Sequence, residues 1–251
     1  MKLFHTLSIL FHQGKQYIPD PTKAEVPGIF RGRPVISTAA VDNEAVVDCC
    51  PLKAISFDGK MFVDLGKCGF CGICARQFPE KIRFTKDYKM ATTIRENLIV
   101  IEGEDKPIEF GPKPECAKVF KGSLKLRQVS AGGDNSCEWE LGATSNVNFD
   151  MGRYGIEFVA SPRHADGIVI TGPITKNMAR ATQICYDAVP EPKIVALCGT
   201  DAISGGLYAE SEDIDRSFID SHKVDLFLAG NPAHPLTIIN GLLGLMNRKG
   251  K

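Results

Sequence analysis

The chain has 251 residues, 43% of them hydrophobic, which is enough for one large domain or two ordinary ones with real cores. Thirty basic and thirty acidic residues cancel, so there is no general electrostatic case for nucleic acid or for an anionic membrane surface. No apolar run reaches the roughly 18 residues of a membrane span, and MKLFHTLSILFHQGK has no small-residue cleavage site after its apolar part, so a cytoplasmic location is expected.

Residues 1–20 place Leu3, Phe4, Leu7, Leu10 and Phe11 on one helical face, closed by Gly14 and followed by Pro19 and Pro21. This predicts a short amphipathic helix, packed on its own domain or docked on a partner or at a membrane edge. Residues 30–95 are rich in turn formers, with hairpin candidates Ala54–Phe57 and Met61–Val63 around Asp58-Gly59. A strand is predicted at Asn97–Ile101, and the Pro/Gly/Lys stretch 105–123 reads as a linker.

The clustered cysteines lie in the first half. Nine cysteines, an odd count in a reducing compartment, point to metal ligation rather than disulfides. Bacterial ferredoxin motifs read C-x2-C-x2-C-x3-C-P, and the last Cys of each run ligates the other cluster of the pair. Cys68, Cys71 and Cys74 supply three ligands, while the fourth position of their run holds Phe78 before Pro79. Upstream, Cys50-Pro51 ends a run whose earlier positions are Ala40, Asn43 and Val46. The survivors, Cys50, Cys68, Cys71 and Cys74, are the four ligands of one complete [4Fe–4S] cluster, and the four losses are those of the other. A zinc site would pair its cysteines two and two, whereas these divide one and three. Cys49 is the alternative to Cys50; the following proline and the crossing pattern favour Cys50.

From residue 124 the pattern becomes α/β. Apolar runs Ile156–Ala160, Gly167–Thr171, Lys193–Leu197 and Leu226–Ala229 alternate with helix candidates Lys176–Ala188 and Leu236–Arg248, which predicts a parallel sheet. Gly205-Gly206 reads as a tight strand-to-helix turn, since no G-x-G-x-x-G or P-loop run is present. Arg163-His164-Ala165-Asp166 reads as a surface loop fixing a subunit contact rather than as acid–base machinery. Cys185 and Cys198 read as small buried residues, and Cys116 has no partner at metal-ligand spacing.

FRGRP, CCPLKAIS, VDLGKCGFCGICARQFPEKIRFTKDYKMAT and RENLIV, within residues 1–100, resemble the polyferredoxin-type subunit of formate hydrogenlyase and related group 4 membrane-bound hydrogenases. That family is itself similar to the two-cluster ferredoxin subunit of complex I; this chain departs from it by keeping one cluster site. GDNSCEWEL, SPRHAD, TGP, GTDAISGG and DLFLAGNPAHP, within residues 124–247, resemble the small, cluster-bearing subunit of the same hydrogenases and the complex I subunit with the terminal cluster. The second resemblance implies a flavodoxin-like sheet whose strand-end loops hold a [4Fe–4S] cluster beside a catalytic large subunit. At the positions that it implies for ligands stand Asp134, Cys137, Asp201 and Asn231, so one thiol of four remains. Such an oxygen-rich set suits a cubane poorly. A hard divalent cation on Asp134, Asp201 and Asn231 is the remaining alternative there.

The expectation is an α+β ferredoxin-like module at 1–115 followed by an α/β flavodoxin-like domain at 120–251. It would be a non-catalytic electron-transfer subunit of a complex I-like or group 4 hydrogenase-like complex, carrying one [4Fe–4S] cluster. Its partners would be a hydrogenase-large-subunit-like protein and membrane subunits, with no nucleic acid. It would sit peripherally on the inner face of the cell membrane, in indirect contact with it. The rival is a non-redox scaffold of such a complex with a structural metal site.

Overall fold

The computed structural model describes residues 2–14 and 16–248. Helix α1 (Lys2–Gln13) stands away from the rest of the chain: Phe4, Leu10 and Phe11 are 79%, 61% and 85% exposed. Packing on its own domain is therefore not what this helix does. Met1 and Lys15 of the predicted segment, and the side chain of Leu3, lie outside the described residues.

The first half builds two small antiparallel sheets. β1 (Pro34–Ile36) pairs with β4 (Ile82–Phe84), and β2 (Ile55–Asp58), β3 (Lys60–Asp64) and β6 (Ile99–Ile101) form a meander. Gly59, at φ +68°, turns β2 into β3, a conformation that glycine adopts without steric cost. Two short helices, α2 (Asn43–Asp48) and α3 (Ile73–Gln77), carry the cysteine segments. The strand predicted from Asn97 begins only at Ile99, because Arg95–Leu98 forms a 3-10 turn. Lys81 is buried between the sheets, where its ammonium meets Glu102 Oε1 at 2.6 Å and Ala39 O at 3.0 Å, while Glu102 Oε2 accepts from Met61 N–H at 2.8 Å. The buried charge is thus paired and hydrogen-bonded, as burial requires.

The second half is a six-stranded sheet. Its strands are β7 (Leu124–Ser130), β8 (Ile156–Phe158), β9 (Gly167–Thr171), β10 (Ile194–Cys198) and β11 (Leu226–Leu228), all parallel, with β5 (Ala91–Thr92) added antiparallel at one edge. The spatial order is β5-β11-β10-β9-β7-β8. Counting the parallel strands in chain order from one to five, it is 2-1-3-4-5, one of the two common doubly wound arrangements. Every residue of β9 and β10 is buried, as expected of central strands covered on both faces.

The covering helices are α4 (Ser136–Ala143) and α8 (Pro235–Leu245) on one face and α5 (Lys176–Ala188) with α7 (Ser217–Ser221) on the other; α6 (Thr200–Ser204) caps the end of β10. Alternation along the strands sorts the core into two layers. Val169, Ala196, Leu226 and Leu228 meet α8, whereas Ile168, Ile170, Val195 and Leu197 belong to a layer that continues without a break into Met61, Val63, Leu65 and Cys68 of the first half. The linker is packed as well: Ala117 and Phe120 are buried, and Phe110 O accepts from Thr93 N–H at 2.8 Å. Gly205 and Gly206, both at positive φ, follow α6 instead of joining a strand to a helix, which corrects the expected turn.

Candidate functional site

Local geometry brings the four predicted cysteines to one place. The Asp42 carboxylate caps α2 by accepting from Ala45 N–H at 3.2 Å, the helix ends at Cys49, and Cys50-Pro51 opens a turn closed by Lys53 N–H to Cys50 O at 3.1 Å. After β3, Cys68 N–H donates to Asp64 O at 2.9 Å, and the loop then passes through positive φ at Phe70 (+49°) and Gly72 (+74°) before α3 presents Cys74. Cys50, Cys68, Cys71 and Cys74 line a single pocket, walled by Pro51, Leu52, Ala54, Ile55, Val63, Ile82 and Phe84. Cys49, the alternative to Cys50, donates its Sγ–H to Val46 O at 3.1 Å, and its thiol is pushed up by burial and then by Cys50 and Cys71.

The chemistry of this pocket fits an iron–sulfur cluster. Its side-chain donors are thiols and its walls are apolar, a soft donor set buried at Cys68 and open to the surface at Cys71. Backbone N–H groups already serve the sulfurs: Ala54 N–H points at Cys50 Sγ and Phe70 N–H at Cys68 Sγ, each at 3.3 Å. Burial pushes the Cys68 thiol up to about 12, opposed by the Phe70 N–H and reinforced by Cys74, Cys50 and Cys71. Burial likewise pushes Cys74 up to about 11, with Cys49 the next contributor. A positively charged centre is what would favour the thiolates here. Among the described residues no group of three or more His, Cys, Asp or Glu side chains is placed to hold a single metal ion.

The second set, Asp134, Cys137, Asp201 and Asn231, lies in the loops and helix starts that follow the carboxyl ends of β7, β10 and β11. Asp134 is exposed, and its Oδ1 accepts from Ser136 N–H at 2.9 Å and Ser136 Oγ–H at 2.6 Å. Asp201 is half-buried and pushed from 3.8 to about 6, first by burial, then by the nearby charges of Asp134 and Glu138; the Leu207 N–H works against them. Glu138 Oε1 accepts from Ser130 Oγ at 2.5 Å and from Thr171 Oγ1 at 2.7 Å, ties that the sequence reading missed. Cys137 is buried against Cys198, whose thiol is held well above its usual range by that contact and by burial. Gly199 is needed there, since a Cβ would stand 2.3 Å from Cys137 Sγ. Asn231 Nδ2 lies 3.8 Å from where a Cβ on Gly69 would stand.

Arg163 and His164 are exposed on their loop, Cys198 is fully buried and Cys185 half-buried. The side chain of Cys116 lies outside the described residues.

Residues 135–245 match the family model "NADH ubiquinone oxidoreductase, 20 Kd subunit". The chain is 32% identical over 123 residues to the probable membrane-bound hydrogenase subunit mbhJ of Pyrococcus furiosus, covering 49% of this chain and 74% of that one. It is 30% identical over 169 residues to an NADH-quinone oxidoreductase subunit of Clostridium beijerinckii, covering 67% of this chain and 93% of that one. To formate hydrogenlyase subunit 7 of Escherichia coli it is 34% identical over 140 residues, 55% of each chain. A chain in the structure of the membrane-bound sulfane sulfur reductase, an archaeal respiratory membrane complex, aligns with a TM-score of 0.46 and 27% identity, over 52% of this chain and 72% of that one. With nearly the whole of the Clostridium beijerinckii sequence covered at 30% identity, the chain belongs to the NADH ubiquinone oxidoreductase 20 Kd subunit family.

Proposed function

We propose that this protein is an iron–sulfur electron-transfer subunit of a membrane-associated complex of the complex I and group 4 hydrogenase type. It carries one [4Fe–4S] cluster on Cys50, Cys68, Cys71 and Cys74 and none at the second set. It joins a ferredoxin-like module, residues 1–115, to a small-subunit-like module, residues 120–251, that has lost its own cluster ligands. The observation that carries this reading is the convergence of four thiols, and of N–H groups aimed at two of them, on one apolar pocket.

A [4Fe–4S] cluster, when bound, supplies a reversible one-electron centre. The chain's own residues supply the rest. Leu52, Ile55, Val63, Ile82 and Phe84 exclude water, and the Ala54 and Phe70 N–H groups stabilise negative charge on sulfur. Cys71 is exposed while Cys68 is buried, so one edge of the site reaches the surface, where an electron can enter or leave. At the second set Asp134, Asp201 and Asn231 carry oxygen and amide groups where thiols would be needed, and the Asp134 carboxylate is taken by Ser136, so no thiol quartet is available.

Among the described residues no helix is long and apolar enough to cross a membrane. The bare apolar side chains of α1 suit a subunit covered by neighbours, namely a hydrogenase-large-subunit-like protein and membrane subunits, on the inner face of the membrane.

The test is an anaerobic redox titration followed by EPR. A reversibly reducible, low-potential [4Fe–4S] signal is expected, absent in Cys71→Ser and present in Cys185→Ser. A redox-silent metal would leave the scaffold reading in its place.

A further inference from the structure

In open α/β sheets the carboxyl ends of the parallel strands are where ligands are held. Here the ends of β10 and β11 hold a piece of the same chain. Gly199 N–H donates to Leu228 O and Thr200 N–H to Gly230 O, both at 2.9 Å, so the two strand ends lock one another and fix the Thr200 backbone. The Thr200 side chain, fully buried, then donates its hydroxyl proton to the carbonyl of Cys68 at 2.8 Å, with Gly230 O a second, longer acceptor at 3.2 Å.

The rest of the Cys68 loop is seated against the same strand ends. A Cβ on Gly66 would meet Ile203 Cγ2 at 2.8 Å, and one on Gly69 would meet Leu52 Cδ1 at 2.7 Å with Asn231 Nδ2 beyond it at 3.8 Å. On its other side the loop is tied to its own module by Cys68 N–H to Asp64 O at 2.9 Å, and Asp64 is paired in turn with Arg95 at 2.8 Å. The buried loop is thus fixed from both modules, and Thr200 stands immediately before Asp201 in the second set.

We infer that Thr200 is a positioning residue for the cluster proposed above, and that the strand ends that have lost a cluster of their own now seat and tune the cluster of the first module. The inference rests on reading Cys50, Cys68, Cys71 and Cys74 as its ligands. The physical link is short. The Thr200 hydroxyl points its positive end at the backbone of a ligand residue from a site that water does not reach, where a dipole acts with little screening. Such a dipole favours the state with the extra electron. Without it the Cys68 carbonyl is a buried acceptor facing an apolar group, and the uncompensated oxygen disfavours reduction.

The experiment uses the full-length chain, purified anaerobically, as wild type, Thr200→Val and Thr200→Ser. Val keeps the shape and removes the hydroxyl; Ser keeps the hydroxyl. Iron and acid-labile sulfide are counted, and the midpoint potential is read by EPR-monitored titration. The expected result is equal iron in all three, a lower midpoint potential in Thr200→Val, and the wild-type midpoint restored in Thr200→Ser. If Thr200→Val loses iron that Thr200→Ser retains, the hydroxyl seats the loop, and the inference stands. Full iron with an unchanged midpoint in Thr200→Val overturns it, as does equal loss of iron in both variants, which would make Thr200 a matter of volume. A wild-type chain that holds no iron would overturn the cluster reading itself, and the inference with it.

Discussion

Burial and local charge decide what each titratable group near the strand ends contributes. Asp201 is the clearest case: its folded pKa of about 6 lies above its usual 3.8 because burial, Asp134 and Glu138 all oppose the carboxylate. The folded protein therefore binds more protons than the unfolded chain between about pH 4 and pH 6, and stability falls as pH rises through that window. Asp201→Asn removes the penalty. The variant is expected to match wild type below about pH 4 and to be more stable at neutral pH by about 1 kcal/mol, a figure reduced for the solvent that reaches this half-buried group. Chemical denaturation at both pH values checks it, and equal stability at neutral pH would contradict the assignment. The carboxylate's position was legible, because GTDAISGG carries the family resemblance. Its company was not, since Glu138, Ser130 and Thr171 are joined by tertiary contacts that leave no local pattern.

At the scale of elements, helix α8 shows close approach overriding propensity. Gly241 sits in the helix interior, where alanine is ordinarily the better residue by about 1 kcal/mol. Here a Cβ would stand 2.4 Å from Leu228 Cδ2 and 2.8 Å from Ala91 Cβ. Overpacking of this kind costs about 1–3 kcal/mol; set against the gain from alanine's propensity, a net loss of about 1 kcal/mol is expected, so Gly241→Ala should lower the melting temperature by about 2–4 °C for a chain of this size. A rise in melting temperature would show that the strands give way at no cost. The elements best read from sequence were those whose surroundings are uniform: β9 and β10 are continuous apolar runs because both faces are covered. β7 escaped, since LKLRQVS carries Lys125, Arg127 and Gln128 although it lies between β8 and β9. β5 escaped because it is two residues long, its place fixed by pairing with β11 and by Ala229 N–H to Met90 O at 3.0 Å. The turn-rich stretch 30–95 likewise concealed β1 and β4, whose partners are 48 residues apart in pairs such as Val35 with Arg83.

Across the whole molecule the two halves are joined by direct contacts. They share a core layer, a sheet edge and an N-terminal arm: Pro21 O accepts from Tyr88 Oη at 2.9 Å and from Asn240 Nδ2 at 2.7 Å, and Ile18 N–H donates to Asn148 O at 2.8 Å. This joining puts the Cys68 loop against the strand ends at Thr200 and Asn231. The cysteine spacing could be read from the sequence, whereas that juxtaposition could not, because a contact between residues 132 positions apart leaves no local pattern. One cluster on Cys50, Cys68, Cys71 and Cys74, and none at the strand ends, is the proposal on which the rest depends. Metal and sulfide analysis of the anaerobically purified full-length chain tests it most directly, beside a variant carrying Asp134→Cys, Asp201→Cys and Asn231→Cys. About four iron and four sulfide are expected in the unaltered chain, as one [4Fe–4S] cluster requires, with additional iron only in the triple variant. Zinc in place of iron, no metal at all, or about eight iron in the unaltered chain would contradict it.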